Sequence, residues 1–256
     1  MIMTNRLSVT LAATFTGAML ASGAASAETV TADGGYGSGS YLTESVTATV
    51  VGSGTSSGSA GLARYTRTNT GPTPLLTNAT PLGVFYALCL EFNETIGSVV
   101  TGASWTLSAL SAAPNDANNT APVGMGARAD DLARLLNGAY PNWGAPLTTV
   151  NVTALQLAVW EIANESTETS YNLLSGKFFV EQSSVDGASW TLANQYLANL
   201  NLGPNGTFND STMYYRALTQ DNQQDFVVKT VPLPAAAWLL LSGLAGLGFV
   251  GRRKAA

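Results

Sequence analysis

No histidine occurs in the 256 residues, cysteine occurs once, and charged residues make up only 11% of the chain. Each shortage excludes a class of chemistry. Without histidine, Ser-His-Asp and Cys-His nucleophilic machinery, His-bearing zinc sites and histidine pH switching are ruled out. With Cys89 as the one cysteine, no disulfide can form within the chain. The charged fraction is less than half of the roughly 25% usual in soluble domains. Hydrophobic residues reach 46%, so the polar surface must be built from Ser, Thr, Asn, Gln and Gly. The net charge of -5 argues against nucleic acid as a partner, because that binding rests on neutralising phosphate with Lys and Arg. The length allows one or two domains with a real core.

What is present begins with the two ends. Residues 1–27 open with Arg6, continue as an apolar stretch from Leu7 to Leu20 and close on Ala25-Ser26-Ala27. This is the three-part pattern of a secretory signal peptide, with small residues Ala25 and Ala27 set for signal peptidase cleavage before Glu28. At the other end, Val231-Pro232-Leu233-Pro234-Ala235 precedes an uncharged run from Ala236 to Val250 and then Arg252-Arg253-Lys254. The run is short against the usual span of about 20 residues, yet Pro234 to Gly251 reaches across a thin membrane. A C-terminal transmembrane helix is expected there, with the basic triplet as a cytoplasmic stop.

Residues 231–256 resemble the PEP-CTERM group of bacterial sorting tails, in the variant whose signature is VPLPA. The resemblance rests on motif, apolar span and basic stop standing in that order. It implies an exported Gram-negative protein that passes transiently through the inner membrane. An exosortase-type transpeptidase would then cut it near the Pro motif and deliver it to the cell surface or an extracellular matrix. Removing Arg6, Arg252, Arg253 and Lys254 with the two ends leaves seven basic residues against 16 acidic ones, a net charge of -9 for the working domain at 28–230.

Within that domain, Val46 to Val50 alternates as a half-buried strand does, Gly52 to Ser59 reads as a loose turn, and Leu62 to Thr68 reads as the returning strand of a hairpin. The glycines from Gly34 to Gly39 lack the following Lys-Ser/Thr of a phosphate loop. Val84 to Phe92 is a candidate buried strand. Helices are expected at Ala127 to Asn137, with Gly138 as its C-terminal cap, at Thr153 to Asn164, and from Ser189 as an N-cap, the last carrying Trp190, Ala193, Leu197 and Leu200 on one face. Tyr214 to Leu218 and Asp225 to Thr230 read as closing strands. The order predicts an α+β fold, a β-sandwich or barrel with an inserted helical subdomain. The hexapeptide Gly-Ala-Ser-Trp-Thr-Leu occurs at 102–107 and again at 187–192, and reads as a recurring local element.

The chemistry centres on two segments, Tyr86 to Glu91 and Thr153 to Ile162. At 100° per residue, Gln156 lies about 140° from Glu161 and about 180° from Glu165, but only about 40° from Trp160. Its amide points away from the edge that carries Glu161, Glu165 and Glu168, which reads as a solvated face. A buried amide without a partner costs roughly 1–3 kcal/mol. Backbone hydrogen bonding is the ordinary remedy. An internal thioester between Cys89 and Gln156 is an alternative that also accounts for the lone cysteine. Holding the atoms at attack distance substitutes for a histidine base, since intramolecular placement is worth up to about 10⁵–10⁸ M of effective concentration.

The same segments resemble the thioester domains of bacterial surface adhesins. Tyr86 to Glu91 matches their aromatic-Cys strand motif, and Leu155-Gln156-Leu157-Ala158-Val159-Trp160 matches their helix motif. The chain departs from the family's pattern in placing two residues between Tyr86 and Cys89 and in following with Glu91. The resemblance implies Cys89 as the thioester sulfur, Gln156 as the acyl donor and Trp160 as a packing residue beside the bond. The partner would be a surface ligand or exopolysaccharide bearing an amine or hydroxyl, joined in at most one turnover, with no cofactor and no metal. A non-covalent structural component of an exopolysaccharide matrix is the alternative reading. A secreted carbohydrate-active enzyme using Glu161 and Glu165 is a third, since paired carboxylates serve glycoside hydrolysis.

Overall fold

The computed structural model describes residues 28–35, 44–69, 83–94, 100–114, 124–142, 147–165, 170–203, 206, 208, 214–221 and 223–230. The signal peptide with Ala25 and Ala27, the sorting tail from Val231 to Lys254 with its expected transmembrane helix, and Glu168 lie outside the described residues. Among the described residues no helix is long and apolar enough to cross a membrane.

The fold is mixed α+β, built on a closed antiparallel barrel. Its six strands are β1 (Glu28–Gly35), β4 (Ala63–Arg67), β5 (Val84–Cys89), β9 (Gln223–Lys229), β8 (Tyr215–Gln220) and β6 (Val100–Ala109), neighbours in that order. A three-stranded antiparallel sheet stands apart, with β2 (Glu44–Val50) between β3 (Gly54–Ala60) and β7 (Phe178–Val180). Between β6 and β8 the chain forms α1 (Arg128–Ala139), α2 (Thr149–Asn164) and α3 (Gly187–Asn201).

Large side chains fill the barrel. Tyr65 on β4 stacks on Phe85 of β5 at 5.5 Å and meets Trp105 of β6 and Phe226 of β9 edge-on at 5.5 and 5.4 Å. Rings from four strands meet at these distances only by pointing into the barrel, as side chains of a narrow barrel must if no channel is to remain. The outward face of β5 is covered as well, so the whole strand is buried. This explains its nearly continuous apolar sequence.

Helix α2 starts at Thr148, whose hydroxyl accepts from the Asn151 N–H as an N-cap. From Val152 to Asn164 every residue is buried, because α1, α3, β5 and the small sheet all pack against it. Its last carbonyls are served by Arg128 of α1, whose buried guanidinium donates to Ile162 O at 2.6 Å and Ala163 O at 3.1 Å. A cation at the negative end of the helix also complements its dipole.

Several local expectations are corrected. Gly52 to Ser59 is not a loose turn, since Gly54 to Ala60 pairs with the full length of β2. Hydroxyl pairs between the strands, Thr47 with Ser57 at 3.0 Å and Thr49 with Thr55 at 2.6 Å, offset the low strand propensity of Gly and Ser. The segment after it joins the barrel instead of returning along β2. Gly138 lies inside α1, which runs on to Ala139. Its missing side chain leaves the space occupied by the Phe208 ring. The N-cap of α3 is Asp186, whose carboxylate accepts from Ala188 N and Ser189 N, while the buried Ser189 donates its hydroxyl to Glu44 at 3.2 Å. The repeated hexapeptide is strand in β6 and helix in α3, so it is no recurring element.

Candidate functional site

Gln156, Trp160 and Asn164 stand four residues apart and so form one stripe of α2. That stripe lies along the end of β5 and its continuation. Gln156 Nε2 donates to Cys89 O at 2.8 Å, and Gln156 Oε1 accepts from Cys89 N at 3.1 Å. Asn164 Nδ2 donates to Leu90 O at 3.0 Å and to Trp160 O at 2.8 Å. The Trp160 ring meets Phe92 edge-on at 4.9 Å and tilts against Phe178 at 6.3 Å.

The ladder explains why an amide fits beside Cys89. Pairing between β4 and β5 ends at Ala63 and Ala87, so Cys89, two residues further along, has its N–H and C=O on the same side with no β4 residue opposite. On the other side Leu88 and Cys89 pair with Val227 and Phe226 of β9. The primary amide of Gln156 carries one donor and one acceptor as a peptide unit does. It takes the empty place in the ladder.

The sulfur faces elsewhere. Cys89 follows Phe85 by four residues in the strand and pairs with Phe226, so its side chain points with theirs into the barrel. There it shares the interior with Tyr65, whose Oη is buried without a hydrogen-bond partner among the described residues. Burial first, and then the charge that Cys89 can carry, push the Tyr65 phenol upward, so the group is a neutral donor. Cys89 is 3% exposed and Gln156 0%. Bulk water is excluded from the pair.

The carboxylates on α2 correct the expected solvated edge. Glu161 is 0% exposed and Glu165 is buried. Glu161 Oε1 accepts from Asn172 N at 2.6 Å, and Glu165 Oε2 accepts from Lys177 N at 2.9 Å. Each therefore anchors the 170–177 segment that leads into β7. The carboxyl of Glu161 is pushed up to about 8, by burial first, against the lowering effect of the Asn172 N–H and with the help of nearby Glu165. Its Oε2 has no partner among the described residues.

The structure thus brings Cys89 and Gln156 into direct contact and sets Trp160 one turn along the same stripe. Sequence reasoning missed Tyr65, Asn164 and Arg128. Asn164 was within reach, since it stands two turns from Gln156 on the stripe. Tyr65 and Arg128 act across elements far apart in the chain, and no local spacing points to them. No known family, curated protein or solved structure matches the chain.

Proposed function

We propose that the chain is an exported surface or matrix protein whose domain closes an internal Cys89–Gln156 thioester and uses it to acylate an amine or hydroxyl on a partner. The supporting observation is the direct contact between the only cysteine and a fully buried glutamine amide. In forming the bond, Cys89 Sγ adds to Gln156 Cδ, the Cδ–Nε2 bond breaks, and the thiol proton leaves with the nitrogen as ammonia. The Cys89 N–H already donates to Oε1, the oxygen that becomes negative in the tetrahedral intermediate. A fixed donor there favours the step. In the second step the partner's nucleophile attacks Cδ, the Sγ–Cδ bond breaks, and the nucleophile's proton passes to the sulfur. Burial protects the bond from water and requires the partner to displace part of the covering wall. Export and surface delivery rest on the motifs at the two ends.

The intact mass of the purified chain tests this reading. A deficit of one ammonia is expected against the mass of the processed sequence, turned by methylamine into an excess of one CH2, and absent in Cys89→Ala and Gln156→Ala. A full mass with a thiol that alkylates stoichiometrically after denaturation would overturn it.

One observation favours a second reading. Both polar ends of the Gln156 amide are satisfied by the Cys89 backbone, which is all that a clamp joining α2 to β5 needs. In that case the protein is a non-covalent matrix component with a reduced, shielded Cys89, and the mass is unmodified. The enzymatic alternative would have to use Glu161 and Glu165 as they stand here, buried and accepting from backbone N–H groups.

A further inference from the structure

Among the described residues the small sheet leaves one long edge open. Thr47 N donates to Ser184 Oγ and Thr47 O accepts from Glu181 N, so its peptide groups point away from β3. Peptide direction alternates along a strand, and Ser45 and Thr49 therefore point the same way, with Thr49 paired to Phe179 of β7. The residues opposite these three on β3 are Ser59, Ser57 and Thr55. Their own N–H and C=O groups must turn outward. All three are exposed, and among the described residues β3 has no neighbour but β2.

Exposed edges are normally protected by charge, proline or a bulge. From Val51 to Ala63 there is no charged residue and no proline, and the pairing of β2 with β3 runs without a register shift. In an antiparallel pairing of two copies about a two-fold axis the central residue faces its own copy, so a charge there would face a like charge. This strand carries none.

We infer that β3 is a self-association edge, on which a second copy of this chain pairs its own β3 antiparallel, centred on Ser57. In that register Ser57 faces Ser57 and Thr55 faces Ser59, so three residue pairs each exchange two backbone hydrogen bonds. The hydroxyl rows already formed by Thr47 with Ser57 and Thr49 with Thr55 would then continue across the axis. The two sheets join into one of six strands, and the interface is isologous and closed.

Sedimentation velocity on the full chain, in a non-ionic detergent that masks the apolar run near its C-terminus, tests the proposal. Wild-type chain is expected to form a dimer. Ser57→Lys and Ser57→Glu, each alone, should weaken it by roughly tenfold or more, because like charges are set face to face. An equimolar mixture of the two variants should restore it, which loss of folding would not allow. A monomeric wild type overturns the inference. So does a dimer that neither variant disturbs, or one that the mixture fails to recover.

Discussion

Gln156 stands where the barrel ladder lacks a peptide unit, and this single fact serves both functional readings. Its amide joins helix to strand, and the same contact holds it against the backbone of the residue that carries the one thiol in the chain. The helical wheel already separated Gln156 from the glutamates, but the inference behind it was half right, since Glu161 is as buried as Gln156. Tyr65 is the residue-scale surprise. Its hydroxyl is buried with no partner among the described residues, and a buried unsatisfied donor costs about 1–3 kcal/mol. Tyr65→Phe keeps the ring contacts and removes that burden, so it should stabilise the fold by about 1 kcal/mol, read from the urea midpoint. A loss of stability would mean instead that the Cys89 sulfur serves the hydroxyl.

At the scale of elements, α2 departs furthest from an ordinary helix. An exposed helix carries one apolar stripe, whereas α2 is enclosed on every side, and its polar residues act as fasteners to its neighbours. Gln156 and Asn164 hold β5, while Glu161 and Glu165 hold the segment before β7. Glu161 makes this arrangement dependent on pH. Its carboxyl is raised in the folded state to about 8 from an ordinary value of 4.5, so between those values the folded chain binds a proton that the unfolded chain has released. Stability must fall as pH rises through that window, by about 1.4 kcal/mol per pH unit at most, and level off above it. Glu161→Gln should flatten this slope in denaturation curves taken from pH 5 to pH 9. An unchanged slope would assign it to other groups. The strands divide by legibility in a similar way. β5 was visible as an apolar run, but β3, made of Gly, Ser and Thr, owes its conformation to the partner strand beside it.

For the whole molecule, the two ends and the middle carry different kinds of information. On the proposed reading the terminal motifs are short linear signals for other proteins, and replacing Val231 to Ala235 with alanines is then expected to leave the chain in the membrane fraction. Cell fractionation checks this, and surface delivery that survives the replacement would contradict the sorting proposal. By itself the sequence determined the α+β order, the buried strand at Val84 and the three helices, and it singled out Cys89 and Gln156, which the structure brings into contact. These follow from periodicity, composition and the scarcity of certain residue types, all of which act locally or by exclusion. Tertiary structure alone decided the closure of the barrel, the burial of Glu161 and Glu165, and the placing of Tyr65 against Cys89. The hexapeptide Gly-Ala-Ser-Trp-Thr-Leu shows the physical reason. Between β1 and β8 it is strand, with Trp105 filling the barrel, and after the Asp186 cap it is helix. Six residues carry a local preference smaller than the packing and hydrogen bonding their surroundings offer.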